Sequence, residues 1–275
     1  MHLPSSVLIV GAGWLGLPLA TKLSNTGIPV HVTKRHKCSL NISNIRCYQL
    51  LLDDVGNMTC ADRNTCFKPN TLIITLPFKR TFEDPQSYVR QLTSLISAYC
   101  EVNTAKKNII FTSSTSIYGS SSSTVTENSV IKCRSQREQA LYDAEHFLLH
   151  HPDLNTTILR CGGLFGYDRR IGNFSKERLI KNARSPVNLI HRDDVIGIML
   201  LLLQRPIQNC VYNAVCNHHP SKLELYGYHS QHEHLAEPQY DTDSFDIKMK
   251  CVDGTKVCTG LGYSFIYSDL LQSYL

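Results

Sequence analysis

Gly11, Gly13 and Gly16 fall in the spacing G-x-G-x-x-G. The apolar run Val7-Leu8-Ile9-Val10 lies directly before them. A helical pattern follows from about Trp14 to Ser24, with Gly27 placed to end it. The spacing alone says little, but between a strand and a helix it describes a turn suited to a pyrophosphate. The first glycine permits the tight turn, the second lets the backbone approach the phosphates, and the third lets helix and strand pack closely. The helix start adds free N–H groups and a partial positive charge. Gly11, Gly13, Trp14, Leu15 and Gly16 are therefore expected to hold a dinucleotide.

The end of the second strand selects among dinucleotides. An Asp or Glu there holds a free ribose 2′-hydroxyl. Here the chain reads Val32-Thr33-Lys34-Arg35, with no carboxylate. Lys34 and Arg35 can instead pair with a 2′-phosphate, so NADP is expected rather than NAD. Asp53 ends the third strand, where it either contacts the adenine or caps a loop. Thr75 and Pro77 close the fourth, beside the nicotinamide ribose by fold position.

These residues need a scaffold of alternating strands and helices, and the chain supplies one. Strands are expected at Val7–Val10, Pro29–Thr33, Cys47–Leu52, Leu72–Leu76, Asn108–Thr112 and Thr156–Arg160. Helices are expected over about Pro85–Cys100 and Arg134–His150, and Ser113–Thr124 reads as a loop. Continuous apolar strands between helices predict an α/β Rossmann fold: a doubly wound parallel sheet with helices on both faces. After Cys161 the pattern is less regular. A helix is expected from Asp193-Asp194 to Leu203, a strand over Val211–Val215, an irregular polar stretch over His218–Asp246, and a helix near Ser268–Tyr274. The expected division is a dinucleotide domain over 1–161, with 187–216 returning to it, and a small C-terminal substrate lobe from 162–186 and 217–275.

Composition narrows the function further. The net charge of +5 is spread along 275 residues, with Lys34-Arg35-His36-Lys37 its longest basic cluster. A nucleic-acid partner would call for a broader basic face. The longest apolar run, Val195 to Leu203, is too short for a bilayer, which needs roughly 20 residues. With no signal peptide in view, a soluble cytoplasmic protein without membrane or nucleic-acid partners is expected. Eleven Cys without a C-x-x-C pair read as free, mostly buried thiols. His218, His219, His229, His232 and His234 cluster without a carboxylate or Cys at a ligand spacing, so a surface loop and no metal are expected.

The chain resembles the extended short-chain dehydrogenase/reductases, the NAD-dependent epimerase/dehydratase superfamily. The resemblance rests on Gly11 to Gly16, Phe111-Thr112-Ser113-Ser114-Thr115-Ser116-Ile117-Tyr118-Gly119 and Ile158 to Gly166. It continues in Asn188-Leu189-Ile190-His191-Arg192-Asp193-Asp194-Val195, Val211-Tyr212-Asn213 and the Leu261-Gly262-Tyr263 ending. The start Gly13-Trp14-Leu15-Gly16-Leu17-Pro18 is similar to an atypical bacterial branch of that superfamily. The resemblance implies a Ser, a Tyr and a Lys in catalysis, with the Tyr as acid/base and the Ser on the substrate oxygen. Ser114 matches the Ser, with Thr115 beside it. No Tyr is followed by Lys at the fourth position, and Tyr142 is followed there by His146. Arg134 or Arg137 can replace the charge but not the chemistry of that Lys. Tyr118 is a candidate substitute acid, at a position that is structural or pocket-lining in the family, and the acid is otherwise unassigned.

The resemblance also places Arg160, Arg169 and His191 where the substrate binds, with Asp194 as a helix cap. It implies an NADP-dependent oxidoreductase or epimerase-like enzyme. The expected partner is a small-molecule substrate, a nucleotide sugar among the candidates, and a homodimer is left open. The alternative is an NADP(H)-binding sensor or regulator that has lost catalysis.

Overall fold

A computed structural model describes residues 3–37, 40–78, 83–102, 106–176, 178–241 and 249–273. The chain runs β1 (Val7–Val10), α1 (Gly16–Asn25), β2 (Val30–Lys34), β3 (Ile45–Leu52), β4 (Met58–Cys60), α2 (Arg63–Cys66), β5 (Thr71–Ile74) and α3 (Gln86–Val102). It continues with β6 (Lys107–Ser114), α4 (Gln136–His150), β7 (Leu154–Cys161), β8 (Gly163–Phe165), β9 (Leu179–Ile180) and β10 (Leu189–His191). The last elements are α5 (Arg192–Leu203), β11 (Cys210–Ala214), α6 (Lys222–His232), β12 (Gln239–Tyr240) and α7 (Thr255–Leu261). Two compact units result. The first comprises Met1–Ser113, Cys133–Leu159 and Met199–Val211, and the second the remainder.

The first unit carries most of an eight-stranded sheet in the order β11-β7-β6-β5-β1-β2-β3-β4. Strands β1, β2, β3, β5 and β6 pair in parallel, and β4 turns back antiparallel along β3 at the edge. Every residue of β1 and β5 is buried. That burial is why these strands read as unbroken Val, Ile and Leu runs: helices cover both faces of a parallel sheet. Helix α3 puts Tyr88, Leu92, Leu95, Ile96 and Tyr99 into a core with Leu8, Leu72, Ile74 and Phe111. The expected α/β Rossmann fold is therefore present.

The second unit has its own core of Phe165, Val187, Leu189, Cys216, Leu225 and Leu270. Two small parallel pairs, β8 with β10 and β9 with β12, shape it.

Several local expectations are corrected. The polar stretch after His218 holds α6, begun by a capping box in which Ser221 and Glu224 bond each other's backbone N–H. Its His229 is buried and bonds the Leu270 carbonyl at 2.8 Å, so it belongs to the core and not to a surface loop. The described part of the expected helix near Ser268–Tyr274 is not helical. The expected loop from Ser113 begins two residues later, since β6 runs through Ser114, and a 3-10 turn over Thr115–Tyr118 follows. Cys47 is disulfide-bonded, and of the nine free thiols among the described residues only Cys66, Cys161 and Cys216 are buried, the other six being half-buried.

Candidate functional site

The turn after β1 is built by three strands. Gly11 takes φ +105°, which disfavours any side chain. Its N–H donates to the Thr33 hydroxyl at 3.3 Å, and the Ala12 N–H donates to the Thr33 carbonyl at 2.9 Å. From the other side, the Thr75 N–H donates to the Val10 carbonyl at 2.9 Å and the Thr75 hydroxyl to the Gly11 carbonyl at 2.7 Å. The turn thus lies where β1 has β2 on one side and β5 on the other. That is the reversal point at which doubly wound sheets bind ligands.

The three glycines are there for different reasons. A Cβ at Gly16 would stand 2.3 Å from the Gly11 carbonyl oxygen, so its absence allows α1 to pack on the turn. A Cβ at Gly11 would press on Thr75 at 3.0 Å. A Cβ at Gly13 would meet nothing within 4 Å. No packing among the described residues requires Gly13 to be bare. Helix α1 starts without a side-chain cap and without an acidic residue in its first turn. The Leu17 N–H donates to the Gly13 carbonyl at 3.1 Å and Pro18 has no N–H, so the helix start offers an outside acceptor the uncapped Gly16 end. An open glycine, an uncapped helix start and a positive-φ turn together fit a dinucleotide's pyrophosphate.

Lys34 ends β2 half-buried and Arg35 follows it, exposed. Neither has an ion-pair partner among the described residues. Asp53 is spent elsewhere. Its carboxylate accepts from the N–H groups of Val55 at 3.1 Å and Asn57 at 2.7 Å, and from the Asn57 amide at 2.7 Å. The Asn57 side-chain hydrogen bond holds that carboxyl below its ordinary range. Of the two roles open to it, Asp53 fills that of a loop cap, between β3 and β4. Pro77 is exposed just past β5.

The second unit holds the other candidates. Ser114, half-buried at the end of β6, accepts from the Ser116 N–H at 3.2 Å, which leaves its own O–H to donate. Thr115 is buried. The Lys250 ammonium donates to the Gly119 carbonyl at 2.6 Å and the Thr115 carbonyl at 3.4 Å, clamping both ends of the 3-10 turn. Tyr118 is buried inside that turn. Its hydroxyl donates to Asn213 Oδ1 at 2.7 Å and accepts from Arg160 Nη1 at 2.8 Å, and the guanidinium lies 5.0 Å from its ring. Burial pushes the Tyr118 phenol above its ordinary value. Tyr118 and Arg160 are brought together, and each occupies the other.

His191 ends β10, 2% exposed. Its Nδ1 accepts from the Asp193 N–H at 3.1 Å, which puts the neutral ring's proton on Nε2. The ring lies 3.6 Å from Tyr267 and against Phe165, and Gly166 makes room for it, since a Cβ there would stand 2.1 Å from Nε2. Burial lowers the imidazole pKa to about 4. Arg169 closes a tight turn on Gly166, exchanging backbone hydrogen bonds of 3.0 and 3.1 Å with it. Asp194 does not cap α5, which starts two residues earlier. Its carboxylate accepts from the Tyr263 hydroxyl at 2.8 Å and the N–H groups of Ile266 and Tyr267 at 2.7 and 3.2 Å, so it anchors the C-terminal segment.

Where a Tyr-x-x-x-Lys would start α4, Arg137 lies over the Phe78 ring at 4.2 Å. Tyr142 is 38% exposed. Sequence reasoning missed Thr33, Asn213 and Lys250. Only Asn213 carried a signal, inside the Val211-Tyr212-Asn213 segment.

Comparison with known proteins gives this geometry a family. Protein YeeZ of Escherichia coli K12 is 32% identical over 268 residues, which cover 96% of this chain and 97% of YeeZ. This chain belongs to the YeeZ family. No family model matches it. The YeeZ-family chain has the fold of the NAD-dependent epimerase/dehydratase superfamily, as the sequence resemblance implied. UDP-glucuronic acid 4-epimerase from Bacillus cereus, solved with NAD, matches with a TM-score of 0.77 at 18% identity, over 98% of this chain and 96% of that one. MoeE5, solved with UDP-glucuronic acid and NAD, gives 0.76 at 19%, over 94% and 93%. ADP-L-glycero-D-manno-heptose-6-epimerase from Helicobacter pylori gives 0.74 at 16%, over 98% and 94%.

Proposed function

We propose that this chain binds NADP(H) and acts as an oxidoreductase or epimerase-like enzyme on a small hydroxyl or carbonyl substrate of the nucleotide-sugar class. The observation that carries the reading is Gly13, bare although nothing among the described residues would meet its Cβ, beside an uncapped helix start. A dinucleotide is the ligand such an opening serves. In this reading Gly11 and Gly16 shape the turn, while the open face above Gly13 and the start of α1 at Gly16 receive the pyrophosphate. Lys34 and Arg35 bind the ribose 2′-phosphate. Thr75 and Pro77 lie beside the nicotinamide ribose, and a bound nicotinamide supplies or takes a hydride.

Ser114 orients the reacting oxygen through its free O–H, with Thr115 beside it in a turn fixed by Lys250. Tyr118 is the phenol nearest Ser114 in sequence, but its hydroxyl is already engaged at both ends. Its role is to hold the turn, with Arg160 as its partner. The substrate lobe comprises 162–186 and 217–275. It holds a cavity of about 410 Å³ with the cations of Lys176 and Arg178 and the carboxylate of Glu237 on its wall. Those cations suit the diphosphate of a nucleotide sugar. NAD and UDP-sugars in the relatives named above favour the same class.

A second reading is a sensor that binds the cofactor without turnover. The missing Tyr-x-x-x-Lys favours it, as does the engaged Tyr118 hydroxyl. Titration with NADPH and NADH, followed by NADPH-oxidation assays on UDP-sugars and simple carbonyls, separates the two. Turnover on any of these establishes the enzyme. Binding without turnover points to the sensor. Binding of neither cofactor overturns both.

A further inference from the structure

Leu270 is gripped by two histidines, one at each backbone polar group. It is fully buried in the core of the second unit. Its N–H donates to Nδ1 of His218, in the loop between β11 and α6, at 3.1 Å. Its carbonyl accepts from Nε2 of His229, on α6, at 2.8 Å. Asp194 ties Tyr263, Ile266 and Tyr267 of the same segment, and the Cys216 thiol donates to the Ser268 carbonyl at 3.2 Å. The Tyr267 ring lies 3.6 Å from that of the buried His191.

The two histidines answer acid in opposite ways. His229 donates to the carbonyl through Nε2, which acid leaves in place. A proton added at its Nδ1 faces Glu233 Oε1 at 3.3 Å and strengthens that half of the grip. His218 accepts through Nδ1, which requires an unprotonated lone pair. The same Nδ1 lies 3.0 Å from Asp269 Oδ1. Once protonated, it donates to that carboxylate and the Leu270 N–H loses its acceptor. The ion pair so formed joins side chains 35% and 41% exposed, where such pairs add little. A buried N–H left without an acceptor costs more. Also facing His218 are Glu224 in the first turn of α6, close enough for the charges to interact, and Cys216, whose Sγ accepts the His218 N–H at 3.5 Å.

We propose that His218 is a pH-operated latch on residues 263–273. Neutral, it holds Leu270 and with it the Tyr267 ring against His191. Protonated, it turns its Nδ1 to Asp269, and the segment loosens from His191. Imidazole is the side chain that ordinarily changes charge between pH 5 and 8, so the test spans that range.

Hydrogen exchange of the full-length protein, without added ligand, is followed by mass spectrometry at pH 5.5 and 7.5 and corrected for the intrinsic pH dependence. Peptides within 263–273 should exchange about tenfold faster at pH 5.5 relative to peptides of α6, as the loss of one buried hydrogen bond implies. His218→Asn offers an acceptor to the Leu270 N–H but does not titrate, and should abolish the difference. Asp269→Asn removes the carboxylate that receives the proton, and should move the release to lower pH. Equal protection of the segment at both pH values overturns the proposal. So does a difference that persists in His218→Asn, or a release that does not move in Asp269→Asn.

Discussion

The Thr75 hydroxyl donates to the Gly11 carbonyl at 2.7 Å, tying the end of β5 to the glycine turn after β1. A side chain 64 positions away thus joins the Thr33 hydroxyl, which accepts from the Gly11 N–H, in setting the geometry of the loop. Thr75→Val removes the donor with little change in volume. One lost hydrogen bond of this kind costs about 1 kcal/mol, a fall of roughly 2–4 °C in Tm for a chain of this size. Thr75→Ser should restore most of it. Thermal melts of the three proteins check this.

Arg35→Asp reverses the charge next to the end of β2. If the guanidinium meets a 2′-phosphate, NADPH affinity should fall by roughly 10- to 100-fold, the worth of a charge-assisted hydrogen bond. NADH affinity should change little. Parallel fluorescence titrations read the ratio, and an unchanged ratio removes NADP from the account.

Tyr118→Phe separates a structural phenol from a chemical one. The variant leaves Asn213 Oδ1 and a buried Arg160 Nη1 without this partner, at a cost of about 1–3 kcal/mol. The expected result is a lower Tm with NADPH affinity retained. An unchanged Tm contradicts the geometry.

His191 makes stability depend on pH. Its pKa is 6.5 unfolded and about 4 folded, because burial penalises the charged ring. Between those values the unfolded chain binds more protons, so stability is fully present above 6.5 and is lost as pH falls toward 4. The slope is at most about 1.4 kcal/mol per pH unit. His31, also lowered by burial, adds in the same direction. His191→Asn keeps an acceptor for the Asp193 N–H but does not titrate. Its Tm should therefore fall less between pH 7 and pH 5 than that of the parent protein.

The sheet was legible because buried parallel strands must be apolar throughout, and β1, β5 and the glycines between strand and helix carry that signature without ambiguity. Legibility failed where local chemistry decides. The β4 hairpin rests on Asp53 capping its own turn, a role that the same Asp at a strand end shares with a ligand contact. Helix α6 buries few side chains, Leu225 and His229 among them, so no apolar stripe announced it. Its one signal was Ser221 followed three residues later by Glu224. The anchoring of residues 263–267 by Asp194, and the Lys250 clamp on Gly119, join positions 69 or more apart in the chain. No periodicity encodes such contacts.

The central claim is that the space above Gly13 is for a ligand's phosphates. Gly13→Val adds a side chain where none of the described residues lies within 4 Å of the new Cβ, whereas Gly16→Ala drives one to 2.3 Å from the Gly11 carbonyl. With both variants melted alongside the parent, Gly13→Val should keep its Tm and Gly16→Ala should not. Isothermal titration of NADPH into Gly13→Val is the decisive measurement. The account predicts at least ~100-fold weaker binding in a fully folded protein, since an isopropyl group where the phosphates would lie forfeits charge-assisted hydrogen bonds to the turn. Parent-like NADPH affinity in that folded variant would contradict it.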